Sequence, residues 1–135
     1  MIYLDAAVCI YAVESIGERG VRARDLLRGS DEALCVSPLV QMECLIKPFQ
    51  EADIALEEQY RRFLAGMTML EIAPVVYERA ARVRASANIK TADALHLATA
   101  LEAGCDALWT ADSEFAKRSS GFAVDVFKDL STSSS

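Results

Sequence analysis

The chain has 135 residues, 53% of them hydrophobic, and a formal net charge of −6. That length and apolar content predict one globular domain over 1–130 with a sizeable core, and they exclude a disordered chain. No apolar run reaches the roughly 18 residues of a membrane span, and the first residues lack the basic stretch and small-residue site of a secretory signal, so a cytoplasmic protein without membrane contact is expected.

Acidity weighs against a polyanionic partner unless some of the acids bind cations. Cys9, Cys35, Cys44 and Cys105 show no CxxC or Cys/His ligand spacing and stand in apolar surroundings, which predicts buried free thiols.

Along the chain, strand and helix patterns alternate. Met1-Ile2-Tyr3-Leu4-Asp5 predicts a strand over 2–5 that stops on a carboxylate, followed by helices over 8–14 and 18–28 with Gly29-Ser30 as a stop. A strand over 33–37 leads to Ser37-Pro38, an N-cap with proline in the first helical position. The helix beyond it carries Glu43 and is expected to end near Lys47-Pro48. In 51–66 the spacing of Leu56, Tyr60, Phe63, Leu64 and Met67 marks an amphipathic helix. A strand over 69–72 precedes a helix over 74–87 with Val76, Ala80, Val83 and Ala87 on one stripe. Thr91 is placed to N-cap a helix running to 102, closed by Gly104. A fourth strand over 107–110, a short helix over 112–118 and a fifth strand over 123–127 complete the pattern, and 131–135 reads as a disordered Ser/Thr tail. Repeated strand–helix units predict an α/β fold, a three-layer α/β/α sandwich around a mainly parallel sheet.

Ligands of open parallel sheets bind at the carboxyl ends of the strands. Asp5 and Asp112 follow strands one and four there, and Glu43 and Asp93 lie near helix starts. Four acids at one rim would suit a hard divalent cation and chemistry on phosphate. Each acid also has a plainer reading. Asp5 and Asp112 make good N-caps, Asp93 sits in a first helical turn, and Glu43 can be the solvent-facing residue of an apolar helix. Asp106 precedes strand four and so belongs to the opposite rim. His96 lies one turn past Asp93, in reach of the site or packed at a helix surface. Thr110 marks a strand tip, where its hydroxyl can hold a metal-bound water. Arg19, Arg22, Arg24 and Arg28 form the densest basic group, a solvated face or a contact for phosphates or an acidic partner.

Ile2-Tyr3-Leu4-Asp5, Ser37-Pro38-Leu39 with Met42-Glu43, Thr91-Ala92-Asp93-Ala94-Leu95-His96-Leu97-Ala98-Thr99-Ala100 and Thr110-Ala111-Asp112 with Phe115 together resemble the PIN-domain ribonucleases, and most closely the VapC toxins of bacterial toxin–antitoxin pairs. The resemblance spans essentially the whole chain. It implies that Asp5, Glu43, Asp93 and Asp112 form a catalytic metal site for Mg²⁺ or Mn²⁺, that RNA is the substrate, and that the products carry 5′-phosphate and 3′-hydroxyl ends. It also implies a small antitoxin partner and a homodimer. The chain departs from the family pattern at Ala6-Ala7 and at Ala111, where polar residues are common, and such losses typically cost 10–100-fold in metal affinity or activity.

Two competing readings follow. One is a weakly active or inactive protein of the same fold that binds RNA or an antitoxin. The other is phosphoaspartyl chemistry, which a dehalogenase-like phosphatase would run with a second Asp at position 7, where Ala7 stands, and a receiver domain with a lysine at a late strand end.

Overall fold

A computed structural model describes residues 1–130; the expectation for the 131–135 tail lies outside them. Five strands, β1 (Ile2–Leu4), β2 (Leu34–Val36), β3 (Thr68–Met69), β4 (Ala107–Thr110) and β5 (Ala123–Asp125), form one sheet in the order β3-β2-β1-β4-β5. Every pairing is parallel. Three consecutive apolar residues, Ile2, Tyr3 and Leu4, fill β1, and all are buried. A central parallel strand is covered on both faces and so reads as an unbroken apolar run.

Among the described residues seven helices connect the strands: α1 (Ala6–Glu14), α2 (Glu18–Gly29), α3 (Pro38–Gln50), α4 (Ile54–Ala65), α5 (Pro74–Ala87), α6 (Thr91–Glu102) and α7 (Ser113–Arg118). The chain steps from β1 outward to β3, then crosses to β4 and β5. With right-handed crossovers this puts α1 to α4 on one face and α5 to α7 on the other, giving the α/β/α sandwich. The core is continuous through the sheet. Leu4, Val8, Val36, Val40 and Leu108 are fully buried, and each such aliphatic side chain contributes about 1.5–3 kcal/mol. Where α2 begins, Gly20 lies so close to the end of α1 that an added Cβ would stand 2.1 Å from the Ser15 carbonyl oxygen.

The boundaries differ from expectation in physically informative ways. Helix α1 starts at Ala6, not residue 8, because the Asp5 carboxylate caps it directly. Helix α3 runs through Pro48 to Gln50: in the last turn the proline forfeits one backbone bond, and its ring is buried in the core. The next helix begins at Ile54, since Ala52 turns left-handed (φ 51°) and the Asp53 side chain accepts from Leu56 N–H. Strand β3 is two residues at the sheet edge, as β2 ends at Val36 and offers only its carbonyl to Leu70 N–H. Lys90, not Thr91, occupies the N-cap of α6, and no side chain caps that end. Strand β5 stops at Asp125, whose carboxylate accepts from Phe127 N–H. All four cysteines are buried free thiols.

Candidate active site

The sheet reverses its direction of growth between β1 and β4, and the crevice outside their carboxyl ends is where such folds hold ligands. Asp5 N–H donates to the Trp109 carbonyl at 3.1 Å, tying the two strand ends together at that rim. A cleft of about 430 Å³ opens there, lined by Asp5, Glu43, Asp93 and Asp112 along with His96 and Thr110. The four acids come from four separate places in the sequence and meet in one cavity. Asp106 lies at the other rim, where it pairs with the Met1 amine at 2.6 Å.

Asp5 is 6% exposed. Its Oδ1 accepts from Val8 N–H at 3.2 Å, the N-cap bond of α1. Burial pushes its carboxyl up from an ordinary 3.8 to about 6, against the Thr110 hydrogen bond and the Val8 N–H, which pull it down. Thr110 is fully buried, and its Oγ1 also accepts from Asp112 N–H at 3.1 Å. One hydroxyl thus links two of the four acids.

Asp112 caps α7, its Oδ1 accepting from Glu114 N–H at 2.9 Å and Phe115 N–H at 3.1 Å. For Asp5 and Asp112 the capping reading is therefore true, and it coexists with their place in the cleft. A carboxylate has about four lone-pair positions, so capping leaves capacity for a cation. Asp93 is half-buried in the first turn of α6, and its carboxyl is raised by burial and by the charges of Asp112 and Glu43, with His96 and Lys90 opposing.

Glu43 is held by His96, which takes the first of the two placements the sequence allowed, in reach of the site. His96 is 2% exposed, within the core and not at a helix surface. Its Nε2 lies 2.6 Å from Glu43 Oε1, and its Nδ1 lies 2.7 Å from the Tyr3 hydroxyl. That hydroxyl meets Ser37 Oγ at 2.7 Å. Ser37 occupies the N-cap of α3 but makes no side-chain capping bond; its hydroxyl serves the chain Ser37–Tyr3–His96–Glu43. Glu43 accepts from Nε2–H, and Nδ1 is hydrogen-bonded to the Tyr3 hydroxyl. Burial raises the tyrosine hydroxyl well above its usual range, so it stays protonated and able to donate. The sequence signal for this network was a polar side chain inside the apolar run Leu95-His96-Leu97, which needs a buried partner.

Among the described residues no three His, Cys, Asp or Glu side chains already stand in a tight cluster around a cation position. Like charges hold one another apart when nothing offsets them. The donor set itself is all carboxylate oxygen, the chemistry that Mg²⁺ and Mn²⁺ take, and by that criterion the residues fit a hard divalent cation. The arginines at 19–28 serve the fold. Arg22 pairs with Asp129, Arg28 with Asp25, Arg24 donates to the Ala12 and Ser15 carbonyls, and Arg19 lies over the Tyr11 and Phe127 rings.

An open parallel sheet with acids gathered at its switch point defines a class of α/β proteins that place a charged site at the strand ends. Within that class the assignment is specific: residues 2–120 match the PIN domain model, and the chain belongs to the PIN-domain family. Among solved structures it is similar to a toxin–antitoxin complex from Klebsiella pneumoniae (20% identity, TM-score 0.78, covering 93% of this chain and 98% of that one). It is similar as well to VapC20 of Mycobacterium tuberculosis, described as a sarcin-ricin-loop-cleaving toxin (15% identity, TM-score 0.76, 93% and 98%). A third is VapBC2 from Rickettsia felis bound to a promoter DNA fragment (16% identity, TM-score 0.73, 92% and 98%). Comparison with the curated proteins returns no significant match. Among the described residues no helix is long and apolar enough to cross a membrane.

Proposed function

We propose that this protein is a metal-dependent endoribonuclease, the cytoplasmic toxin of a toxin–antitoxin pair, with Asp5, Glu43, Asp93 and Asp112 as its site. The observation that carries the reading is the meeting of these four acids in one cleft at the β1/β4 switch point of a PIN-domain chain. Mg²⁺ or Mn²⁺ held by these carboxylates would polarise the scissile phosphodiester and acidify the attacking water. Asp5 and Asp112, fixed by their capping bonds and by Thr110, form the rigid side of the site. Glu43, steadied through one oxygen by His96, keeps its other oxygen to orient a water for in-line attack. Three of the solved neighbours are described as toxin–antitoxin or VapBC complexes, which supports a small antitoxin as partner. Exposed Met42, Ile46 and Phe49 on one stripe of α3 support a homodimer.

The test is cleavage of a structured RNA pool by antitoxin-free protein with Mg²⁺, Mn²⁺ or EDTA, beside Asp93→Asn. Metal-dependent cutting that the variant lacks, with 5′-phosphate ends, supports the reading. A 2′,3′-cyclic phosphate product would sink it, because the RNA's own 2′-OH would then be the nucleophile. Ala6, Ala7 and Ala111 line the cleft with methyl groups, which favours as a second reading a weakly active relative that binds RNA or antitoxin. Binding without turnover in the same assay would select it.

A further inference from the structure

A second cavity, of about 470 Å³, adjoins the acid cleft and shares Asp93 and Asp112 with it. Its remaining wall holds three cations, Arg84 from the end of α5, Lys90 from the turn before α6 and Arg118 from the end of α7, against one further acid, Glu114, with Asn88, Ile89 and Phe115 between them. In a chain of net charge −6 six of the ten arginines are paired with carboxylates among the described residues: Arg22 with Asp129, Arg28 with Asp25, Arg61 with Glu57, Arg79 with Glu102, Arg82 with Glu78 and Arg118 with Glu114. Arg84 and Lys90 lie within ion-pair distance of no carboxylate among the described residues, and of the cations so placed (Arg19, Arg24, Arg62, Lys117 and Lys128 are the others) these two line the cavity that shares Asp93 and Asp112.

These cations are also positioned. Arg84 Nη1 donates to the Ile89 carbonyl at 2.8 Å, and Arg118 Nη1 to the Asn88 carbonyl at 2.9 Å. Both bonds converge on the turn between α5 and α6, where Asn88 is left-handed at φ 54°. One such bond leaves a guanidinium with four further N–H donors. Arg118 divides its charge with Glu114, 3.6 Å from its Nε, so Arg84 and Lys90 carry most of the free positive field.

A polyanionic strand that places one phosphate at the acid cleft must leave by a route that does not repel its neighbouring phosphates. The cavity of about 330 Å³ across α1 and α4, lined by Glu14, Glu51 and Asp53 with Lys47 as its one cation, shares no lining residue with the acid cleft, and neither does the cavity lined by Arg24, Arg28 and Arg62. We propose that the cavity between α5, the α6 turn and α7 is a subsite for an RNA backbone phosphate next to the scissile one, held by Lys90 and Arg84. The inference rests on the nuclease reading and adds the direction in which the substrate runs, past Asp93 and Asp112 toward Arg118.

The experiment is fluorescence anisotropy of a labelled 12-nucleotide single-stranded RNA in EDTA, at several salt concentrations, with wild type, Lys90→Gln and Arg84→Gln. Lys117→Gln/Lys128→Gln serves as control, because those lysines line a different cavity that reaches the acid cleft only at Ser113. Lys90→Gln should weaken binding alike for RNAs of different sequence and reduce the salt slope by about 0.7, the share of one neutralised phosphate on a single strand. With Mn²⁺ it should raise KM more than it lowers kcat. The control should bind as wild type. Melting temperatures of all variants separate a binding defect from a folding defect, and Lys90→Gln decides if Arg84→Gln unfolds. Unchanged binding and KM in Lys90→Gln, or an equal weakening in the control, would overturn the subsite while leaving the nuclease reading in place. Wild type that neither binds nor cuts RNA would overturn both.

Discussion

Replacing Asp5 with Asn is expected to stabilise the metal-free protein at neutral pH and to abolish its response to divalent cations. The carboxyl is 6% exposed, and burial raises it from an ordinary 3.8 to about 6. Between those values the folded protein binds a proton that the unfolded chain has released. The stability this group contributes is therefore complete below 3.8 and is lost as pH rises through about 6. At about 1.4 kcal/mol per pH unit, the ionised carboxylate at pH 7.5 costs about 3 kcal/mol relative to its protonated form.

An amide does not ionise, and its oxygen still accepts the Val8 N–H. Its NH₂ group faces Thr110 less favourably than a carboxylate oxygen does, which takes back about 1 kcal/mol. The net gain of about 2 kcal/mol corresponds to about 6–10 °C in Tm for a chain of this size. Urea midpoints in EDTA from pH 4 to 8 would show the variant's advantage growing through the window up to about 6 and level above it. Added MnCl₂ should then stabilise wild type by mass action and leave the variant unmoved. An Asn variant less stable than wild type at pH 7.5, with a difference flat across that window, would refute the argument: the cap and Thr110 bonds would then outweigh the burial.

Other perturbations address the network and the packing. Tyr3→Phe strips a shared hydroxyl from buried Ser37 and His96, and urea denaturation should show a loss of about 1–3 kcal/mol. His96→Asn releases Glu43 and should lower metal-supported cleavage about 10–100-fold with a higher half-saturating Mn²⁺; a stability loss with unchanged half-saturation would reduce His96 to a packing residue. Gly20→Ala drives a methyl into the Ser15 backbone and should cost about 1–3 kcal/mol or more, so a wild-type urea midpoint would contradict the close approach of α1 and α2. Ala7→Ser with Ala111→Asn restores polar groups to the cleft wall and should lower the half-saturating Mn²⁺ by up to about tenfold; no change would mean that Thr110 and the helix caps already supply that function.

The strands and the rim acids were legible because parallel strands are buried on both faces and stand out as short apolar runs. Element ends were less so, and for reasons of tertiary contact. Pro48 is a local stop signal, yet its ring is buried and α3 continues through it. Residues 70–72 look like strand, but β2 has no further length to pair with them. Thr91 has the right side chain for an N-cap, but the helix turns one residue earlier. The network behind Glu43 was hidden for a deeper reason. Its members come from β1, the end of β2, α3 and α6, so it exists only once the two helix layers have closed on the sheet. Helical periodicity within α6 says which side chains share a face; it does not say that this face meets the tip of Tyr3.

The four acids are not held alike, and this decides which substitution speaks about chemistry. Asp5 and Asp112 each anchor a helix start, and Glu43 is hydrogen-bonded to His96, so changing any of them alters folding as well as charge. Asp93 alone among the four makes no side-chain hydrogen bond among the described residues, and its surroundings act on it through burial and charge. Asp93→Asn therefore removes a negative charge from the cleft without breaking a cap or the Tyr3–His96 chain. It also relieves like-charge repulsion with Asp112 and Glu43, so the variant should fold at least as well as wild type. A loss of cleavage in Asp93→Asn, with its melting temperature maintained or raised, can then be assigned to the missing ligand and not to a damaged fold.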